Sequence, residues 1–192
     1  LELGGKNATL VFADSDWRAQ LDTLVRSAFQ NSGQICLCGS RLLVERAVYD
    51  EFRDAFVARV RALQVGAPLA PGTQVGPVVS QAHFDKILAA LERARAEGGR
   101  VLCGGDALDR PGWYLAPTVI EGLDATCATN REEIFGPVAT LQAFDDEAQA
   151  LALANAGDYG LSASVWTRDL ARAHRLAAAL GARHVVAHGD DP

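Results

Sequence analysis

Residues 33–45 read GQICLCGSRLLVE, and this stretch decides how the chain around it is interpreted. Its first half is a loop of small and polar residues, and its second half, residues 41–45, has the apolar run of a buried strand. Apolar residues at helical spacing lie on both sides, at Leu21, Leu24, Val25, Ala28 and Phe29 before it and at Phe52, Phe56, Val60 and Leu63 after it. This alternation of helix and strand predicts an α/β domain.

The same alternation continues along the rest of the chain. Strands are predicted at residues 7–12, near Val101, and at residues 114–120, 138–144 and 161–166. Ser80 is expected to cap a helix that Gly98-Gly99 ends, and two further helices are predicted at residues 146–155 and 169–180. For the first two helices we expect Asp14 or Ser15 as a cap, and Asp50 and Glu51 in the first turn of the second.

Composition excludes several classes of protein. The 192 residues carry a net charge of −6 and contain no basic run, which argues against a nucleic-acid partner. No continuous apolar stretch reaches the ~18 residues of a membrane span, and no basic leader opens the chain. Four cysteines are few for this length and do not resemble a disulfide framework, so a reducing cytoplasm is the expected location.

Cys36 is a candidate nucleophile because small neighbours let a substrate and backbone N–H groups approach its thiolate. The plainer alternative is a buried structural cysteine. A metal site at Cys36 and Cys38 lacks nearby ligands, so no metal is expected, while a cysteine hydrolase would need a histidine that nothing in the pattern identifies. Glu2, before a Gly-Gly turn, could act as a general base if partly desolvated, or be a solvated carboxylate.

Four motifs follow one another along the chain: ELGGK at residues 2–6, GQIC at 33–36 with GSR at 39–41, REEIFGPV at 131–138, and Asn155 with YGLSA at 159–163 and VWT at 165–167. Together they resemble the aldehyde dehydrogenase superfamily. The first is similar to its glutamate signature, the second to its cysteine signature, and the last two match a third and a fourth signature. The resemblance covers about residues 1–180. Residues 36–39 and 80–84 look most like the 2-hydroxymuconic and 2-aminomuconic semialdehyde dehydrogenase branch.

The resemblance implies both a fold and a set of roles. The fold would be a three-layer catalytic domain with a mostly parallel sheet flanked by helices. Cys36 would attack an aldehyde to give a thiohemiacetal, NAD or NADP would accept hydride, and Glu2 would activate the water that hydrolyses the thioester. Glu133 would bind the nicotinamide ribose, Phe135 would pack beside the nicotinamide, and Gly4 would let the backbone approach. The partners would be a small-molecule aldehyde and, as in the family, further copies of the chain.

Departures from the family pattern lead to further expectations. The family's Rossmann-type NAD domain and oligomerisation strand are not in this sequence, so we expect a partial catalytic domain at residues 1–180 that oxidises no aldehyde by itself. Residues 181–192 diverge, as a frameshift would explain, and we expect weak order after about Arg183. Two hypotheses stay open: a catalytic domain whose cofactor-binding segment is supplied elsewhere, or a non-enzymatic remnant that cannot bind NAD(P).

Overall fold

The described part of the protein, residues 4–189 of a computed structural model, contains seven strands in a single sheet. In chain order they are β1 Ala8–Val11, β2 Arg41–Glu45, β3 Arg100–Cys103, β4 Thr118–Glu121, β5 Val138–Phe144, β6 Ser162–Trp166 and β7 His184–His188. Their spatial order is β3-β4-β5-β2-β1-β6-β7, and all neighbours are parallel except β3 with β4. The predicted mostly parallel sheet is confirmed.

Helices cover both faces of this sheet. They are α1 Leu21–Phe29, α2 Arg46–Arg61, α3 Gln81–Ala96, α4 Ala128–Arg131, α5 Glu147–Ala154 and α6 Leu170–Ala179. Successive strand residues point to opposite faces, so Val44 packs with the α2 residue Phe52, whereas Leu43 packs with the α6 residue Leu176. On the second face, α3 packs over β4 through Ile87 and Ile120. The three-layer architecture expected from the resemblance is therefore confirmed.

Four loops that carry the candidate motifs meet at one edge of the sheet. They precede β1, β2, β5 and β6, which are mutually parallel neighbours in the sheet. Because parallel strands begin at the same edge, these loops lie together at the amino ends of the strands. Open α/β sheets more commonly bind ligands at the carboxyl ends.

Two predicted helix starts are wrong. Helix α1 begins at Leu21 after Gln20 and has no side-chain cap. Asp14 instead accepts a hydrogen bond from the Thr167 hydroxyl, at 2.9 Å, and the Ser15 hydroxyl donates to the Phe12 carbonyl at 2.7 Å. Helix α2 begins at Arg46, four residues before Asp50, directly at the end of β2.

At α3 the predicted cap is confirmed, since the Ser80 hydroxyl accepts from the backbone N–H of His83. The short helix α4 has no counterpart in the sequence-based expectation. Within residues 4–189, no helix is both long and apolar enough to cross a lipid bilayer.

Residues 184–188 form a strand where the sequence suggests only a short apolar run. Strand β7 pairs in parallel with β6 along its whole length, from Ser162 with His184 to Trp166 with His188. The His188 ring stacks on the Trp166 ring with 3.8 Å between centroids. Val186 is half exposed, so little apolar area supports the strand. The weak order expected after Arg183 stays a prediction about the stability of this strand.

Candidate functional site

The loop that carries Cys36 turns sharply between α1 and β2. Asn31 and Ser32 have φ of 51° and 57°, and Gly33 has φ of 70°, so three successive residues are left-handed. The backbone N–H of Cys38 then donates to the carbonyl of Ile35 at 3.0 Å. Cys36 therefore lies at the corner of a tight turn, where it is half-buried.

The buried side chain of Asn7 fixes this turn from below. Its amide nitrogen donates to the carbonyls of Cys36 and Cys38, at 2.7 and 2.9 Å. Its amide oxygen accepts from the backbone N–H of Ser162 at 3.1 Å. One amide thus joins the starts of β1, β2 and β6. A shorter or apolar side chain would remove the donor to the Cys36 carbonyl, whereas the Cys38 carbonyl also accepts from the backbone N–H of Ser40.

Gly4 and Gly5 lie between the cysteine turn and Glu133. A Cβ on Gly5 would stand 2.3 Å from the Cys36 carbonyl oxygen, and one on Gly4, where φ is 71°, would stand 2.8 Å from Glu133 Oε2. Both positions therefore require glycine. The backbone N–H of Gly5 donates to Glu133 Oε1 at 2.7 Å. The structure consequently brings together Cys36, Gly4 and Glu133, which are far apart in sequence.

Phe135 completes this side of the site in an unusual conformation. Its φ is 58°, in the left-handed region that a bulky side chain rarely adopts. Both Phe135 and Glu133 are half-buried. The next residue, Gly136, packs so closely on the cysteine loop that a Cβ on Gly33 would stand 2.0 Å from its carbonyl oxygen. The Glu133–Gly136 segment and the cysteine loop therefore form one packed unit.

Two buried cations lie directly behind these loops. Burial, followed by the nearby Arg41 charge, lowers the pKa of Lys6 from 10.5 to about 7, while Glu133 acts in the opposite direction. Burial also lowers the pKa of Arg41 to about 10. Arg41 donates to the carbonyls of Lys6, Leu153 and Ala154 at 2.8–2.9 Å, so it ties the start of β1 to the end of α5.

The remaining cysteines occupy structural positions. Burial raises the pKa of the Cys38 thiol to about 11, and Cys38 Sγ lies 3.9 Å from the carbonyl of Gln30. Burial likewise raises the pKa of Cys103, whose thiol faces the carbonyl of Pro117. Cys127 packs against the apolar cluster that contains Ile87, Leu91 and Ile120. In the part of the chain from Gly4 to Gly189, no group of three or more His, Cys, Asp or Glu side chains could hold a metal ion.

A cleft of about 350 Å³ opens on the far side of the cysteine turn. Its floor is the sheet face at β1, β6 and β7 that α1 and α2 leave uncovered, and its wall includes Leu37, whose side chain is 51% exposed. Ser164, Val186 and His184 also line it. The cleft reaches the cysteine loop at Leu37 and Gly39.

The structure places most, but not all, of the site residues expected from the sequence. Cys36, Gly4, Glu133 and Phe135 lie in one region, whereas Glu2 lies outside the described residues. Sequence reasoning missed the buried amide of Asn7, and its signal was a polar residue at the start of an apolar strand.

Together these features define an α/β domain that presents a cysteine turn against a glycine pair and a carboxylate. The chain belongs to the aldehyde dehydrogenase family, whose model matches residues 1–188. It is 44% identical over 182 residues to betaine aldehyde dehydrogenase of Cereibacter sphaeroides, covering 95% of this chain and 38% of that protein. It is 46% identical over 181 residues to 2-aminomuconic 6-semialdehyde dehydrogenase of Pseudomonas sp, covering 91% and 37%. The chain thus spans under two fifths of the length of these relatives.

Solved structures give the same result. Betaine aldehyde dehydrogenase from Staphylococcus aureus, crystallised with NAD+, matches with a TM-score of 0.94 at 36% identity, covering 99% of this chain and 38% of that one. HpcC from Thermus thermophilus matches with a TM-score of 0.95 at 43% identity, covering 100% and 38%. The aminomuconic branch named from the sequence is among the relatives, beside betaine aldehyde dehydrogenases of similar identity.

Proposed function

We propose that this chain is the catalytic domain of an enzyme that oxidises an aldehyde to a carboxylic acid with NAD+ or NADP+. The observation that carries the proposal is the convergence of Cys36, the Gly4-Gly5 segment and Glu133 at one edge of the sheet. Membership of the aldehyde dehydrogenase family supports it. The aldehyde is a small molecule, and a semialdehyde is the class that the aminomuconic relatives favour.

The site has groups that fit a nicotinamide cofactor. Glu133 uses Oε1 to accept from Gly5, and Oε2 lies beside Gly4, where no Cβ fills the space. A carboxylate oxygen in this position is suited to accept hydrogen bonds from ribose hydroxyls. Phe135 presents an aromatic side chain from the same loop. The bound cofactor would supply a hydride acceptor, and the segment 133–135 with Gly4 would hold its nicotinamide end.

In the proposed reaction the Cys36 thiolate adds to the aldehyde carbon, and the carbonyl oxygen becomes an oxyanion in a thiohemiacetal. The backbone N–H of Cys36 donates to this oxyanion, with the turn held in place by Asn7. Loss of hydride from that carbon, to the acceptor that the bound cofactor would supply, leaves a thioester on Cys36. Glu2 takes a proton from water, hydroxide adds to the thioester carbon, and the Cys36 thiolate leaves as the acid is released.

The test compares two cysteine variants in the protein that carries this chain. Cys36→Ala is expected to abolish NADH formation from aldehyde, because no thiolate can add to the carbonyl. Cys127→Ala is the matched control, since Cys127 is also a half-buried free thiol but packs beside α3. Equal activity of the two variants would refute the proposal. A wild-type protein inactive with every aldehyde and both cofactors would favour the non-enzymatic remnant.

A further inference from the structure

His83 lies in the first turn of α3 and makes a direct contact with the loop that carries Phe135. Its Nε2 is 2.6 Å from the Phe135 carbonyl oxygen. Because a carbonyl can only accept, Nε2 carries a proton and donates. The two rings also meet edge to face, with 6.1 Å between centroids. His83 therefore contacts both the backbone and the side chain of Phe135.

Phe135 is under backbone strain. Phe135 has φ of 58°, and left-handed backbone is unfavourable for a side chain with a Cβ unless the surroundings hold it there. Strained conformations persist where several contacts fix them together. A hydrogen bond to the carbonyl of the strained residue is such a contact, since it opposes rotation of the following peptide.

A second α3 residue, one helical turn later, holds the next residue of the same loop. A Cβ on Gly136 would stand 2.6 Å from Ile87 Cδ1, so Ile87 packs directly on Gly136. Gly136 in turn contacts Gly33 of the cysteine loop. His83 and Ile87 are four residues apart and so share one face of α3. That face of α3 therefore contacts two consecutive loop residues, Phe135 and Gly136.

The position of α3 itself is fixed from the cysteine side. The Ser80 hydroxyl accepts from the His83 backbone N–H at 3.2 Å and so caps the helix. The backbone N–H of Val79, just before the cap, donates to the side-chain oxygen of Gln34 at 3.0 Å. Gln34 lies two residues before Cys36. The Gln34–Val79 and Ser80–His83 hydrogen bonds therefore fix the start of α3, and with it His83, relative to the cysteine turn.

We propose that His83 is a positioning residue that holds Phe135 in its left-handed conformation, so that the loop 133–136 is preformed for the nicotinamide end of the cofactor. The cofactor part of this inference rests on the proposed function. His83 acts through Phe135. Its hydrogen bond to the Phe135 carbonyl holds the backbone conformation, and the contact between the two rings adds to it.

Three variants of the protein that carries this chain test the proposal. His83→Leu keeps bulk but removes the donor, and His83→Gln retains an N–H that can reach the same carbonyl. His174→Leu is the matched control, because His174 is exposed on α6, away from this loop. The first measurement is amide hydrogen exchange across residues 132–138 by mass spectrometry, which requires no cofactor. The second is the dissociation constant for NAD+, together with the split between KM for NAD+ and kcat.

His83→Leu is expected to speed exchange across residues 132–138 and to weaken NAD+ binding, each by about three- to tenfold, the net worth of one hydrogen bond. The effect should fall on KM for NAD+ more than on kcat, and His83→Gln should restore most of both. Exchange in His83→Leu equal to that in His174→Leu would overturn the proposal, as would a His83→Gln variant as impaired as His83→Leu. If the wild-type protein binds no NAD+, the proposed function and the cofactor part fail, while exchange still decides whether His83 holds the loop.

Discussion

Replacing Lys6 by Met should stabilise the protein at neutral and acidic pH. The Lys6 side chain is 3% exposed, and burial lowers its pKa from 10.5 to about 7. At pH values between about 7 and 10.5, Lys6 is protonated in the unfolded chain and neutral in the folded chain. Wild-type stability therefore falls as the pH drops from 10.5 to 7, and the full penalty is present below pH 7.

The size of the effect follows from the same shift. The difference of 10.5 − 7, or 3.5 units, at about 1.4 kcal/mol per unit gives an upper bound of about 5 kcal/mol below pH 7. The attraction of Glu133 for the ammonium is already included in this net shift. We expect Lys6→Met to raise the free energy of unfolding by roughly 2–5 kcal/mol at pH 6 and by under about 1 kcal/mol above pH 10.5.

Urea unfolding at pH 6, 8 and 10.5, followed by tryptophan fluorescence, measures this difference. Lys86→Met is the control, because Lys86 is the only other lysine of the chain and is exposed on α3. The control should shift stability little and equally at each pH. A Lys6→Met variant less stable than wild type at pH 6 would refute the reasoning, since it would show the ammonium to be well paired in the folded state.

Three other predictions address the site and the sheet edge. In the protein that carries this chain, Glu2→Gln should leave a burst of NADH but slow the steady state by ~10²–10⁴-fold, as stopped-flow absorbance would show; loss of the burst would assign Glu2 to thiol activation as well. Limiting iodoacetamide, analysed by mass spectrometry, should label Cys36 before the other three cysteines, and equal labelling of any of them would count against it. Amide exchange at residues 185–187 should be faster than at residues 161–166, because the side chains of β7 bury little area; equal protection would contradict this.

Much of the fold could be predicted from local patterns. Strand β5 occupies residues 138–144 as expected, and Ser80 caps α3, because a short apolar run and cap chemistry are encoded within a few residues. Strand β7 could not be predicted from its own sequence, since it forms through backbone pairing with β6. Asp14 is a good cap in isolation, but Thr167, 153 residues away, uses its carboxylate instead.

The site divides in the same way. The motifs located Cys36 and Glu133 through family resemblance, while composition alone left several roles open for the cysteine. The arrangement depends on contacts between distant residues, such as Asn7 with the Cys36 carbonyl and His83 with Phe135. Position at the amino ends of parallel strands also runs against the common rule for such sheets, so topology alone would direct attention to the opposite edge.

The most direct test of the central claim is to trap the covalent intermediate on Cys36. The protein that carries this chain, as its Glu2→Gln variant, would be mixed with an aldehyde and NAD+, quenched in acid and digested for peptide mass spectrometry. The proposed chemistry predicts an acyl group on the peptide containing Cys36, formed in step with NADH. NADH formed without any acyl group on Cys36, or an acyl group on another cysteine, would contradict it.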